Sequence, residues 1–444
     1  MRIAIENAMV WDGATTVEPS TLHIADGGIL SVDKRPAGEG EERIDASDRL
    51  AIPGLVNAHT HLYSALSRGM LVPGFAPRSF ADILEGLWWR LDRALDPAAV
   101  QASAIVGAID AVRCGVTTVI DHHASPNAIS GSLGGIRDAV CHRVGVRALL
   151  SYEVSDRDGP STAREGIREN ETFAAEAAGI PALLGAHFGL HASFTLSDAT
   201  LDAVAAHLPD GVGVHVHVAE GVEDEELTVR RHGLRIAERL DRFGLLRPQS
   251  IVAHTLHVDD SERELLAERD VAIVHNPRSN MNNAVGTFDL PSAMRHGLFV
   301  GLGTDGIGAN MLSELFAASL LQKHVQTTPT AAPFSDLYEL LFAANPRIAE
   351  RTLGYPLGSL SAGYPADIVL LDYLPPTPLR GDNILGHLLF GPSVGALRVS
   401  DVYVAGRAIL RNGSFVELDE ARELARAREE AARLWKRFAS GVGR

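Results

Sequence analysis

The sequence predicts an α/β fold, a (β/α)8 TIM barrel carrying a small β-sandwich domain built from both chain ends. Two observations lead there. First, eight short apolar runs, near residues 51–57, 115–121, 145–152, 182–190, 211–218, 250–254, 270–275 and 299–304, are separated by longer helical stretches. Strand-then-helix repetition implies parallel pairing, and eight such units imply a closed barrel rather than an open doubly wound sheet. Second, β-like runs punctuated by turn glycines occupy both ends of the chain. Ile3-Ala4-Ile5 precedes Gly13, and Leu22-His23-Ile24 precedes Asp26-Gly27-Gly28. Residues 366–371 and Val402-Tyr403-Val404 look alike, with Gly406 and Gly413 as turns.

The domains accordingly read as 1–51 with 356–418 for the sheet unit, 52–355 for the barrel and 419–444 for a C-terminal helix. The Ala/Glu/Arg-rich stretch from Asp419 to Phe438 reads as a surface helix. The polar segment Ser155 to Asn170 reads as a solvated loop and helix start.

Length and composition agree with this layout. The 444 residues suit one large barrel plus a smaller unit, and 46% hydrophobic with 22% charged residues is ordinary for a globular chain. A net charge of −16 repels nucleic acid and anionic membrane, which leaves a small-molecule substrate as the expected partner. The two cysteines, Cys114 and Cys141, cannot make a disulfide framework or a thiolate zinc site, and they fit a reduced, cytoplasmic setting. The N-terminus has no charged region followed by a sustained apolar one, and no stretch of 18 apolar residues exists, so neither a signal peptide nor a membrane span is expected.

The chain holds 18 histidines. His59 and His61 follow the first run, His215 and His217 close the fifth, His254 ends the sixth, and Asp305 ends the eighth. One His-x-His pair is weak evidence in so histidine-rich a chain. Recurrence at the same end of successive strands is stronger, because a strand end is an expensive place for unused polar groups, and barrel enzymes build their sites at C-terminal strand ends. Residues i and i+2 of a strand share a side, so a His-x-His pair can grip one ion. A third imidazole and a carboxylate would complete the ligand set and leave a position for water. The ion would lower the pKa of that water to about 7, giving a hydroxide nucleophile at neutral pH.

These motifs resemble the amidohydrolase superfamily. Residues 53–61 (PGLVNAHTH) look like its opening motif, and Gly115-Val116-Thr117-Thr118 before Asp121 looks like its second strand. His217-Val218-Ala219-Glu220 is similar to the His-x-x-Glu of the deaminase branch, the cytosine deaminase and chlorohydrolase-like group. His275-Asn276-Pro277 with Ser279-Asn280, Gly303-Thr304-Asp305-Gly306, and Gly358, Gly363 and Ala366-Asp367 match the later motifs in order. HTHLYSALSRGM, EGLWWRLDRAL, DHHASP, SYEVSDRDG, GLHASFTLSD and HNPRSNMNNAVG are most similar to the SsnA-type aminohydrolases.

The resemblance implies His59, His61, His217 and Asp305 as metal ligands, with Glu220, His254 and Asp305 as catalytic groups. His217 is preferred to His215 because it stands three residues before Glu220; on spacing alone His215 reads as a supporting or core residue. Glu220 would protonate a ring nitrogen, His254 would polarise the attacking water or steady the developing oxyanion, and Asp305 would take a proton from the water. The plain alternative for Glu220 is a solvated member of the acidic run Glu220 to Glu226. His191, Trp88, His122 and Asn280 are expected at the substrate. His122 and His123 are adjacent, and which one faces the site stays open. Arg157 and Arg278 read either as anion-binding or as plain surface charge, and Met281 and Asn282 as further lining.

Two-metal members commonly bridge their ions with a carboxylated lysine, and Lys34, Lys323 and Lys436 all lie away from strand ends. One divalent ion is therefore expected, zinc on its histidine and carboxylate ligands, with iron(II) open. Glu153, at the third strand end, stays open as a bridging or substrate residue. Family habit adds a homodimer.

The reaction this implies is hydrolytic deamination of an amino-substituted heterocycle, a non-peptide C–N bond. Ring opening of a cyclic amide or loss of halide would use the same site. An inactive scaffold barrel would be expected to show broken ligand motifs, and here each position is filled.

Overall fold

The structure is a computed structural model that describes residues 2–179 and 183–441. Eighteen strands run in chain order. β1 (Arg2–Trp11), β2 (Val17–Ala25), β3 (Gly28–Asp33), β4 (Glu42–Asp45) and β5 (Arg49–Pro53) open the chain. β6 (Leu55–Thr60), β7 (Val116–His123), β8 (Arg147–Tyr152) and β9 (Leu184–Ala186) follow. Then come β10 (Phe188–Ala192), β11 (Val214–Val218), β12 (Ile251–His254), β13 (Ala272–His275) and β14 (Phe299–Leu302). β15 (Ile368–Asp372), β16 (Arg398–Val404), β17 (Arg407–Arg411) and β18 (Ser414–Phe415) close the series.

The middle strands form two parallel sheets, β6-β7-β8-β9 and β10-β11-β12-β13-β14. Single parallel bridges, Thr60 to Asp305 and Val154 to Leu190, connect one sheet with the other. Each of the eight expected runs carries a strand. The fourth, whose first residue lies outside the described residues, is broken at His187 into β9, which pairs with β8, and β10, which pairs with β11. β11 shows why such strands form. Val214, Val216 and Val218 alternate with His215 and His217, and all five are buried. A parallel strand enclosed on both faces takes β-branched apolar residues on one side, and here the other side carries imidazoles.

The terminal segments form one nine-stranded sheet, ordered β18-β17-β16-β15-β5-β1-β2-β3, with β4 on β1. β5 pairs antiparallel with β15 and parallel with β1, so it lies between contributions from the two ends. The expected boundary at residue 51 falls inside β5; the passage between sheets is at Gly54. A Cβ there would stand 2.2 Å from Oγ1 of Thr117. Gly54→Ala should therefore force β6 and β7 apart and destabilise the protein by about 1–3 kcal/mol, as overpacking of a filled core does. Thermal unfolding of the two proteins checks it, and an unchanged midpoint would show that the strands yield freely.

Arg147 of β8, fully buried, reaches down to Asp367 and donates to the Tyr355 hydroxyl at 2.8 Å. Asp367 also accepts the amide of Ala405 at 2.7 Å. The terminal sheet is thereby tied to the parallel one.

The C-terminal helix, Glu420–Ser440, is not a free surface helix. Leu434 and Phe438 are buried, Trp435 donates to the carbonyl of Leu66 at 2.8 Å, and Arg437 donates to that of Ala94 at 2.7 Å. Its apolar stripe covers the segment that follows β6. Among the described residues no single helix is long and apolar enough to cross a membrane.

Candidate active site

Every expected ligand residue lies at the C-terminal end of a parallel strand. His59, His61 and His217 bring one ring nitrogen each to within 4.8 Å of one another, and a ring nitrogen each of His59 and His254 and a carboxylate oxygen of Asp305 lie equally close. The hydrogen bonds behind them set the tautomers. Nδ1 of His61 donates to the carbonyl of His122 at 2.6 Å, and Nδ1 of His217 donates to that of His191 at 2.8 Å. The Nε2 atoms of both rings consequently carry lone pairs, yet they face each other at 3.2 Å. Opposed lone pairs call for a positive charge between them, a proton on His61 or a metal ion in its place. Nε2 of His59 is enclosed without a hydrogen-bond partner, and Oδ1 of Asp305 stands 3.6 Å from it and 3.1 Å from Nε2 of His61. Three imidazoles and a carboxylate converging on one point form a donor set that fits a divalent ion.

The electrostatics agree. Burial opposes a charge on His61, but Asp305, Glu153 and Asp121 still raise its pKa to about 9. Burial lowers His59 to about 3, so that ring is neutral and able to ligate. Burial disfavours the charge on Asp305, yet the His59 and His61 imidazoles beside it hold its carboxyl well below the usual carboxylate range. Glu220 is the reverse: burial, and then the charge of Asp305, push its carboxyl well above the ordinary value. Two neighbouring carboxylates are thus driven in opposite directions.

The backbone contributes aim. Ala219, His254, Thr255 and Asp305 have positive φ angles of 48°, 74°, 51° and 54°. Such left-handed geometry in non-glycine residues is strained and gathers at functional sites, where it turns strand-end side chains inward.

Nε2 of His254 lies 3.5 Å from Oε2 of Glu220 and 3.9 Å from Oδ2 of Asp305. Asn283 donates to Oε1 of Glu220 at 3.3 Å, and Ser279 donates to Oδ2 of Asp305. Glu220 does not belong to a solvated acidic run. Asp224 is buried and accepts the amides of Ala219 and Phe194, both at 3.0 Å.

A cavity opens over this cluster. Trp88 and His191 line it as expected, with Trp89, Phe80 and Phe194 as further aromatic wall. Two expected substrate residues are elsewhere. His122 is fully buried behind the ligands, where its Nε2 is 3.1 Å from the carbonyls of Leu190 and His215 and its Nδ1 is 3.4 Å from Glu153. Asn280 is likewise buried away from the cavity, and its amide hydrogen-bonds Nδ1 of His254 at 2.8 Å. Both support ligating or catalytic side chains and do not touch the cavity. His123 faces away, against Ser125 at 2.9 Å. Met281 and Asn282 are exposed; Asn283 lines the cavity.

His215 stands behind His59, with its Nε2 2.8 Å from Nδ1 of that ligand. Partners of this kind orient a ligating imidazole, and losing one typically costs 10–100-fold in metal affinity or activity. His215→Ala should weaken metal retention by about that factor, read by elemental analysis against rising chelator, and full retention would refute the orienting role.

Arg157 is not ordinary surface charge. It is buried and pairs with Asp92 at 2.6 Å, Glu153 at 2.8 Å and Asp158 at 3.3 Å, while Arg93 pairs with Asp158 at 2.6 Å. Asp92-Arg93 on the helix Trp89–Ala94 therefore meets Arg157-Asp158 crosswise. Arg278 sits outside the cavity, 3.4 Å from the buried Glu314.

A parallel α/β frame with histidines and carboxylates converging at its strand ends defines a hydrolase of the metal-dependent kind. A model of the amidohydrolase family matches residues 50–420, and the chain belongs to that family. It is 30% identical to the 5'-deoxyadenosine deaminase of Methanopyrus kandleri, across 98% of this chain and 99% of that one. It is 29% identical to the 5-methylthioadenosine/S-adenosylhomocysteine deaminase of Pyrococcus furiosus, across 95% and 98%. Among solved structures, an adenosine deaminase from Xanthomonas campestris with bound zinc superposes with a TM-score of 0.82 at 26% identity, covering 97% of this chain and 98% of that one. Atrazine chlorohydrolase from Arthrobacter aurescens, complexed with zinc, gives 0.81 at 21% identity over 97% and 100%, a likeness of fold.

Proposed function

We propose that the protein is a mononuclear zinc aminohydrolase that removes the exocyclic amino group of a purine-type heterocycle, with adenosine derivatives first in line. The observation that carries this reading is the pair Glu220 and His254, 3.5 Å apart, with Glu220 and Asp305 lining one cavity and His254 buried against both. Likeness to relatives named as deaminases of adenosine derivatives supports the substrate class.

His59, His61, His217 and Asp305 would hold the ion, whose chemistry is to polarise a water and lower its pKa. Glu220, kept protonated by burial and by Asp305, is the donor to the ring nitrogen next to the carbon under attack. Asp305, kept ionised, accepts the proton the water gives up. His254, steadied by Asn280, sets the direction of that water and meets the oxygen as it gains charge. The aromatic wall of Trp88, Trp89 and Phe194 suits a planar ring. Zinc is preferred to iron(II) on this ligand set and on the zinc-bound neighbours. The two bridges between the parallel sheets support a closed barrel, and the separate apolar core of Ile3, Leu22, Leu370 and Tyr403 supports a second domain of sandwich type.

Purified protein should contain about one zinc per chain and release ammonia from 5'-deoxyadenosine or a close analogue. Metal without ammonia from any purine, pterin, pyrimidine or triazine would shift the reading to ring opening or dehalogenation. No metal after reconstitution would overturn it.

A further inference from the structure

Resting on that reading, we propose that the cavity selects uncharged amino-heterocycles and rejects those bearing a carboxylate or phosphate, and that Asp92 enforces the choice by engaging Arg157. Five carboxyl groups line the cavity, that of the protonated Glu220 and those of Asp92, Glu153, Asp224 and Asp305. Arg157 is the sole lysine or arginine among the described lining residues. A guanidinium binds an anion through free N–H edges, and each of its three nitrogens here already faces a carboxylate: Nη2 Asp92, Nη1 Glu153 and Nε Asp158. Its centre lies 5.5 Å from the Trp89 ring, and its side chain is 7% exposed. Three carboxylates thus surround the charge of the guanidinium.

Asp92 itself is 1% exposed, and its second oxygen, Oδ1, is enclosed without a hydrogen-bond partner. It reads N–H or O–H groups and repels anions. The apolar wall of Phe80, Leu84 and Phe194 keeps water from screening that repulsion. Asp305 offsets one of the ion's two charges, and the carboxylates of Asp92 and Glu153 line the cavity beyond it.

The test compares a neutral ligand with the same ligand carrying phosphate. Binding of inosine and inosine 5'-monophosphate to the zinc-loaded enzyme is measured by isothermal titration calorimetry, which needs no turnover. The phosphate is expected to bind at least about a hundredfold more weakly. Asp92→Asn, which keeps the shape and removes one partner of Arg157, is expected to narrow that ratio at least about tenfold; a merely structural role would weaken both ligands alike. Equal or tighter binding of the phosphate by the wild type, or no binding of the neutral compound, overturns the proposal. So does an unchanged ratio in a folded, metal-loaded Asp92→Asn protein. If that variant does not fold, the wild-type pair still decides. A charge-selective cavity with no ammonia released would count against the deaminase reading alone.

Discussion

Glu220→Gln should lower kcat by about 10²–10⁴-fold, the range over which a positioned general acid or base contributes. Glutamine keeps the length of the side chain and its contact with Asn283, but it has no carboxyl proton to give a ring nitrogen. The ligands are untouched, so metal content and the thermal unfolding midpoint should match the wild type, while KM moves little. That split is diagnostic. Loss of a solvated surface carboxylate would leave kcat alone, and loss of a ligand would release the ion. A Glu220→Gln enzyme with wild-type kcat would remove the residue from the chemistry and return the ring-opening and dehalogenating reactions to equal standing.

His61→Ala should abolish turnover by emptying the site. His61 meets Asp305 at 3.1 Å and the Nε2 of His217 at 3.2 Å, and it has the most charge-favouring surroundings of the three imidazoles. Its removal leaves a buried carboxylate without its partner and a ligand set short by one. The loss should also register as stability, because an ion that binds only the folded chain stabilises it by about 2.7 kcal/mol at a hundredfold excess over Kd. The wild type should therefore unfold at a lower temperature after chelation and regain its midpoint with zinc, and His61→Ala should respond to neither treatment. A zinc-dependent midpoint in His61→Ala would place the ion elsewhere.

The ligands were legible because strand periodicity does two things at once. It marks where an apolar run stops, and it puts alternate residues on one side. That made His59 with His61, the His215 and His217 pair, and Asp305 candidates; the choice of His217 over His215, and the ligand set itself, took the family resemblance with its His-x-x-Glu. Adjacent positions defeated the same rule. His122 and His123 are both buried, so burial could not separate the one packed behind the metal cluster from the one turned toward Ser125. The motif puts Asn280 at the substrate, whereas its side chain bonds His254 and Asn283, one helical turn on, lines the cavity. A short helix after a strand end turns about 100° per residue, and its rotational setting is fixed by tertiary packing. The solvated reading of residues 155–170 failed for a related reason. A charged run looks exposed until its partners are known, and Asp92-Arg93 lies some 65 residues earlier in the chain.

Gly54 and the pair Arg147–Asp367 bear on the order in which the molecule is made. The strand that carries His59 and leads into His61 begins just past Gly54, after a strand clamped by residues 368–372, and β8 of its own sheet is held by Asp367. A ribosome-bound chain that has emerged only as far as Asp305 already possesses every ligand, yet lacks the partner strand that anchors the first of them. Metal capture should therefore come late in synthesis, and a fragment ending near residue 355 should hold zinc poorly although its ligand set is complete.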